Sequence, residues 1–428
     1  MNDSSIVSIV ARRIWDSRGR PTIEVNMCLA DGTGGRGIAP AGASRGAHEA
    51  VDLRDGGARL DGFDVQQALA GINSEIAQAL LGRDARDQVA LDQHLVELDG
   101  TPNKARLGGN ALVAVSLAAL HAAAASAREP LWSYVAQGQP VSLPLPEVQI
   151  FGGGAHAGRR IDIQDLMVMA AGARSFAEAL EMSAEVYLAA GQLMAQSGRR
   201  LGVADEGGYW PAFASNEEAL DMLVRAIERA GYVPGQEMAI SLDIAASEFG
   251  ADRHYRLGLD RLELDSDAMC ELLIRWCERY PILSIEDPLA EDDTEGLQRF
   301  TAAVGQRVQV IGDDYLVTNA ARVEAAARAC SVNAVLIKLN QAGTVSEALA
   351  ALQAGKHAGF GTIVSARSGE TEDTTIAHLA VGWNAGQLKV GSFSRSERMA
   401  KWNEVLRIEQ ALGPRAKFSG TAALPIGG

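Results

Sequence analysis

Ile282-Leu283-Ser284-Ile285-Glu286-Asp287, Val308-Gln309-Val310-Ile311-Gly312-Asp313-Asp314 and Ala334-Val335-Leu336-Ile337-Lys338 are three short apolar runs, each ending in charge. Runs of this length read as buried strands. A buried strand gains nothing from a terminal charge without a partner, because desolvating an unpaired ion costs several kcal/mol. Acids and a lysine at the same end of successive strands therefore point to one shared site.

Further strand cores lie outward from these. Met238-Ala239-Ile240-Ser241-Leu242 runs into Asp243, another core ends at Ser365 and a last one near Lys389. Successive ends fall 24 to 27 residues apart, except for the 43 residues between Asp243 and Glu286, where a hairpin-like insertion is expected. Parallel strands need crossover helices, and a run of strand–helix units closes most naturally into a TIM-type (β/α)8 barrel. An open doubly wound sheet is the competing α/β arrangement, but no glycine-rich dinucleotide loop follows an early strand. Helix starts fit the barrel reading, with capping boxes at Ser215/Glu218 and Thr344/Glu347.

Upstream the pattern changes. Residues 6–14 are strand-like, and residues 22–29 alternate, with Ile23, Val25, Met27 and Leu29 on one face. Asp31-Gly32 offers a hairpin turn. Val65, Leu69, Ile72, Ile76 and Leu80 recur at helical spacing, and further helices are expected over 85–98 and 110–128. The expected organisation is an N-terminal α+β capping domain, 1–138, and a C-terminal barrel, 139–428, with 140–146 reading as the linker.

The chain has 428 residues, with 54 acidic against 39 basic side chains and a net charge of −15. That field disfavours nucleic acid and anionic membrane surfaces as partners. Cys28, Cys270, Cys277 and Cys330 have no metal-knuckle spacing and read as reduced thiols. No apolar run approaches the length of a membrane span, and the start of the chain is polar without a leader-like pattern. A cytoplasmic protein is expected.

Asp243, Glu286 and Asp313 are hard oxygen ligands from neighbouring strands, a set that suits Mg²⁺. The competing reading makes each a helix cap. Lys338, at a buried strand end near a dication, is expected to have its ammonium disfavoured and to serve as a base; the competing reading is an ion pair with a neighbouring acid. Glu206, in Asp205-Glu206-Gly207-Gly208-Tyr209, could act as a general acid. Asp165 places a second carboxyl nearby, and two carboxyls sharing a site would keep one protonated. Ser365-Ala366-Arg367-Ser368-Gly369-Glu370-Thr371 reads as an anion site built from helix-start amides, a guanidinium and hydroxyls. His156 sits in the glycine-rich loop Gly152-Gly153-Gly154-Ala155-His156-Ala157-Gly158. Metal, base, acid and anion site together suggest abstraction of a proton α to a carboxylate.

Across nearly its whole length the chain resembles enolase. The resemblance rests on Asp16-Ser17-Arg18-Gly19, Leu53-Arg54-Asp55-Gly56, Asp205-Glu206-Gly207-Gly208-Tyr209, Ser284-Ile285-Glu286-Asp287, Gly312-Asp313-Asp314, Ile337-Lys338-Leu339-Asn340-Gln341, Arg367-Ser368-Gly369-Glu370-Thr371-Glu372-Asp373 and Arg395-Ser396-Glu397-Arg398. It implies that Asp243, Glu286 and Asp313 hold the tighter Mg²⁺, that Lys338 is the base and that Glu206 is the acid. It also implies that Arg367 and Ser368 grip phosphate, that Lys389 grips the substrate carboxylate and that His156 belongs to a closing loop. A homodimer, or an assembly of dimers, follows in the same way.

The departures from the family pattern cluster around the site. Ala41 replaces a serine that helps hold a second Mg²⁺, and Arg45 adds a cation where the family has threonine. Asp165 stands for a glutamate, and Ala366 replaces a histidine beside the substrate. These changes suggest a diverged paralogue acting on a phosphorylated or phosphonylated carboxylic acid, with Arg45 and the space at Ala366 receiving an extra anionic group. Carboxyphosphonoenolpyruvate synthase is the precedent within the family. The alternatives are an ordinary enolase, converting 2-phosphoglycerate to phosphoenolpyruvate, and a non-catalytic enolase-derived binding protein.

Overall fold

The computed structural model describes residues 3–43 and 46–427. Arg45 lies outside the described residues, so its expected place beside the substrate is not addressed by the structure.

The first part of the chain forms an antiparallel sheet of β1 (Ile6–Trp15), β2 (Pro21–Leu29) and β3 (Gly34–Ile38). The alternation in β2 sends Ile23, Val25, Met27 and Leu29 inward, each at most 2% exposed. The long helix Gly109–Ala127 covers β3, and their small residues explain the close approach. A Cβ on Gly35 would lie 2.2 Å from the carbonyl oxygen of Ala118, and one on Gly37 2.2 Å from that of Ala114. This helix is the one, among the described residues, long and apolar enough to cross a membrane, and 78% of its apolar window is buried inside the protein. The helical run expected over 65–80 is present as Gln66–Gly71, a π-turn Ile72–Ile76 and Ala77–Leu80.

The rest of the chain builds a closed eight-stranded barrel. Its strands are β4 (Leu145–Gly152), β5 (Asp165–Met169), β6 (Ala239–Asp243), β10 (Ile282–Glu286), β11 (Gln309–Gly312), β12 (Ala334–Ile337), β13 (Gly361–Ser365) and β14 (Gly386–Ser392). A small antiparallel sheet of β7 (Gly250–Ala251), β8 (His254–Leu257) and β9 (Leu262–Asp265) fills the long interval after β6, as expected. The residues read as linker include the first two of β4.

One strand breaks the all-parallel expectation. β5 runs antiparallel to both β4 and β6. The connection from Gly152 to Asp165 carries one short helical turn, too little for a crossover. Reversal has a consequence for the site. Asp165 opens its strand, yet it pairs with Asp243, which closes β6, so both carboxylates reach the same barrel mouth.

The barrel interior is partly polar below that mouth. Gln309 of β11 and Gln387 of β14 exchange amide hydrogen bonds of 2.9 and 2.8 Å across the lumen, since their strands are not neighbours. Ser215 and Thr344 cap their helices through the amides of Glu218 and Glu347, as their spacing predicts, each cap contributing about 1 kcal/mol.

The capping part closes one side of the mouth. Ala41 and Gly369 exchange backbone hydrogen bonds of 3.0 and 2.9 Å, and the Ala50 amide donates to the Gln341 carbonyl at 2.8 Å. Farther out, buried Asp92 accepts from the amide and hydroxyl of Ser346 at 2.9 and 2.7 Å.

Candidate active site

Ala43, His156, Gln164, Asp165, Glu206, Asp243, Lys338, Ser365, Ala366, Arg367, Ser368, Lys389 and Val390 line one pocket at the barrel mouth. Glu286 and Asp313 sit at the same ends of their strands, Glu286 in register beside Asp243 and both nearly inaccessible to solvent. The structure therefore brings every predicted site residue within the described region to one place. Local sequence explains part of this: Asp243 and Glu286 are the last residues of their apolar strands, and Asp313 and Lys338 directly follow theirs.

Charges here are paired across the mouth. Lys389 Nζ donates to Glu286 Oε2 at 2.7 Å and Asp243 Oδ2 at 2.9 Å, and lies 3.5 Å from Asp165. Burial opposes its charge, but these acids hold its pKa well above the usual lysine value. Lys338 Nζ donates to Asp313 Oδ2 in a short contact. This is the ion pair of the competing reading. Burial works against the charge on Lys338, yet the Asp313 carboxylate outweighs it and the pKa is raised.

The acids outnumber these bases. Burial and the neighbouring Asp243 push the Glu286 carboxyl well above the usual range. Glu286 Oε1, Gln164 Oε1 and Asp165 Oδ2 are buried without a hydrogen-bond partner among the described residues. Orphan acceptors and crowded carboxylates fit a divalent cation of the hard, oxygen-preferring kind.

Among the described residues, two groups have ligand atoms converging within 4.8 Å, His156/Asp165/Glu206 and Asp287/Asp313/Asp314. Neither is the predicted trio, in which Lys389 lies between Asp243 and Glu286 and Lys338 holds Asp313. Asp287 is a poorer ligand: its two oxygens accept the amides of Asp313 and Asp314 at 2.9 and 2.8 Å. The orphan oxygen on Glu286 makes Asp243, Glu286 and Asp313 the better-fitting set.

The expected carboxyl pair is replaced by a bridged one. His156 Nδ1 lies 3.0 Å from Asp165 Oδ1, and its Nε2 lies 3.6 Å from Glu206 Oε1. Burial disfavours the imidazolium, but Asp165 and Glu206 lift its pKa to about 9. Asp165, against burial, is held below the usual carboxylate range by His156 and Lys389. The prediction that Asp165 and Glu206 keep one of their two protons by direct repulsion therefore fails for Asp165, because the histidine cation sits between them.

The anion segment also differs in part from expectation. After β13 the next helix begins only at Thr375, so residues 366–371 form a loop without helix-start amides. The Arg367 amide donates to Glu370 at 2.9 Å instead. The Arg367 guanidinium is paired with Glu49 at 3.1 and 3.2 Å and with Asn340 at 2.9 Å. Ser368 Oγ accepts the Ala43 amide at 2.7 Å. Ala366 faces the pocket with only a methyl group.

Glu49, Gln164 and Gln341 were not predicted. Gln164 Nε2 donates to Asp243 at 3.1 Å, and Gln341 Nε2 to Asp313 at 2.8 Å, fixing the orientation of both carboxylates. Gln341 belongs to the short helix Leu339–Ala342 and Gln164 to the loop before β5, and a single amide carries no periodic signal.

Two family models match the chain: "Enolase, N-terminal domain" over residues 6–135 and "Enolase, C-terminal TIM barrel domain" over residues 140–425. A curated relative, Enolase 1 of Desulfitobacterium hafniense (strain Y51), is 48% identical over 431 residues, covering 100% of this chain and 99% of the relative.

Proposed function

Because the chain belongs to the enolase family, we propose that this Mg²⁺-dependent lyase dehydrates 2-phosphoglycerate to phosphoenolpyruvate. Similarity to Enolase 1 along the whole chain favours this over a specialised paralogue. The observation that carries it is the ring of Asp243, Glu286, Asp313, Lys338 and Lys389 beside Arg367 and Ser368. That ring offers carboxylates that would hold a metal, two lysine amines and anion-binding groups at one mouth.

In this reading Asp243, Glu286 and Asp313 hold Mg²⁺. Bound there, it supplies positive charge to the substrate carboxylate and makes the α-proton more acidic. Lys389 orients that carboxylate, while Arg367 and Ser368 hold the phosphate. Lys338 Nζ takes the α-proton, which requires its neutral form, so its contact with Asp313 must open first. Glu206, with His156 and Asp165 behind it, delivers the proton that leaves with the β-hydroxyl as water. Proton and hydroxide depart from adjacent carbons, and the double bond forms between them. A homodimer or an assembly of dimers and a cytoplasmic location belong to the same reading.

A phosphonate-pathway substrate has no support in the comparisons. One observation keeps a larger substrate as a second reading: Ala366 presents only a methyl group to the pocket, next to Arg367. Turnover of 2-phosphoglycerate and of phosphonate analogues by purified protein with Mg²⁺ tests both. Efficient formation of phosphoenolpyruvate supports the first; its absence together with turnover of a phosphonate replaces it with the second.

A further inference from the structure

Arg398 lies in the helix Ser396–Leu412 and its side chain has no exposure to solvent. Its nearest carboxylate, on Glu397, is 3.6 Å away. Burying a guanidinium is costly unless its donors are met; here backbone carbonyls meet Nη1 and Nη2, while Nε has no hydrogen-bond partner among the described residues. Nη1 donates to the carbonyl of Arg367 at 2.7 Å and to that of Val390 at 2.9 Å, and Nη2 donates to the carbonyl of Ser368 at 2.6 Å. Ser17 Oγ also donates to the Ser368 carbonyl at 3.3 Å.

These three carbonyls belong to a loop and a strand. Arg367 and Ser368 follow β13, while Val390 directly follows Lys389 in β14. One rigid fork thus spans the segment assigned to the phosphate and the strand assigned to the carboxylate. Glycine at 391 makes the approach possible. A Cβ there would lie 3.0 Å from Arg398 Cδ and 2.9 Å from the Glu206 carbonyl, at a φ of +118°. Lys401, one turn on, supports the same loop through Glu370 and the Thr371 carbonyl, each at 3.1 Å.

We propose that Arg398 is a positioning residue that keeps Arg367 and Ser368 in register with Lys389, so that one substrate meets both anion-binding ends. This rests on the substrate roles proposed above for those three residues. The planar guanidinium reaches three divergent carbonyls at once, which a lysine ammonium on a flexible stem does not reproduce with the same geometry. Displacements of about 1 Å in such a constellation cost on the order of 10²-fold in rate.

The test compares wild type with Arg398→Lys, Arg367→Lys and the double variant, using steady-state kinetics on 2-phosphoglycerate with saturating Mg²⁺. Arg398→Lys is expected to raise KM at least tenfold. In the double variant its effect is expected to shrink to less than threefold, because the side chain it positions is already altered. A KM unchanged by Arg398→Lys, or a penalty equally large in the Arg367→Lys background, overturns the proposal. So does a variant that no longer folds, since the guanidinium then serves stability alone. If wild type does not use 2-phosphoglycerate, the functional reading fails separately. The proposal is then judged by the calorimetric affinity for inorganic phosphate, where a tenfold loss in Arg398→Lys supports it and no loss overturns it.

Discussion

His156 Nδ1 lies 3.0 Å from Asp165 Oδ1, both side chains being almost wholly buried. This contact makes a charged histidine the ground state at neutral pH, with a pKa of about 9 against an ordinary 6.5. A raised folded-state pKa stabilises fully below about pH 6.5, and that contribution is lost as the pH climbs through about 9. The shift corresponds to on the order of 3 kcal/mol. The depressed Asp165 carboxyl acts oppositely: its contribution is present above the ordinary carboxylate range and lost only in strong acid. Asp165→Asn should drop the His156 pKa by at least 2 units as an order of magnitude, and should flatten the loss of thermal stability between neutral and alkaline pH. Imidazole resonances followed by NMR titration measure the first effect. A histidine titrating unchanged in the variant would show that Asp165 is not its partner in solution.

Glu286 and Asp314 separate the two possible arrangements of metal ligands around Asp313. Glu286 Oε1 is an orphan acceptor, whereas Asp314 belongs to the convergent group with Asp287. Glu286→Gln should weaken Mg²⁺ binding by about 10²-fold or more, while Asp314→Asn should change it by less than about tenfold, the lower range for residues outside the ligand set. Calorimetric titration of each variant with Mg²⁺ alone gives the comparison. The reverse order of effects would move the ion to the Asp287 side.

Part of this site was legible because four of its groups sit at the end of apolar runs. Asp243, Glu286, Asp313 and Lys338 needed only the strand reading and a spacing to be placed on one rim. The reversal of β5 was not legible from Asp165-Leu166-Met167-Val168-Met169, since a strand buried on both faces has the same pattern in either direction. The signal lay outside it, in a connection from Gly152 too short and too glycine-rich for a crossover helix. Glu49 was hidden for a different reason. Its partner Arg367 is 318 residues away, and no local pattern records such a pairing.

Lys338 is the group whose removal should cost most. It is buried and held on Asp313, and the proposed reaction routes the α-proton to its Nζ. Lys338→Ala should lower kcat by about 10³-fold, in the range of a positioned proton-transfer group, with KM changed much less. Exchange of the substrate α-proton with deuterated solvent, followed by NMR, should fall in parallel. Retained exchange in the variant would assign the base elsewhere.

The packing of β3 on the helix Gly109–Ala127 gives a prediction about stability alone. A Cβ on Gly37 would lie 2.2 Å from the Ala114 carbonyl oxygen and 2.4 Å from the Ala118 amide nitrogen, both backbone atoms that cannot rotate away. The helix must therefore shift off the sheet to admit even a methyl group. Gly37→Ala should destabilise the protein by about 1–3 kcal/mol, the cost of overpacking a close contact. Gly32→Ala, at a turn with open space around it but a φ of +83°, should cost about 1 kcal/mol through backbone strain alone. Chemical denaturation of the two variants orders them. If Gly37→Ala proved the milder change, sheet and helix would stand farther apart in solution than these distances require.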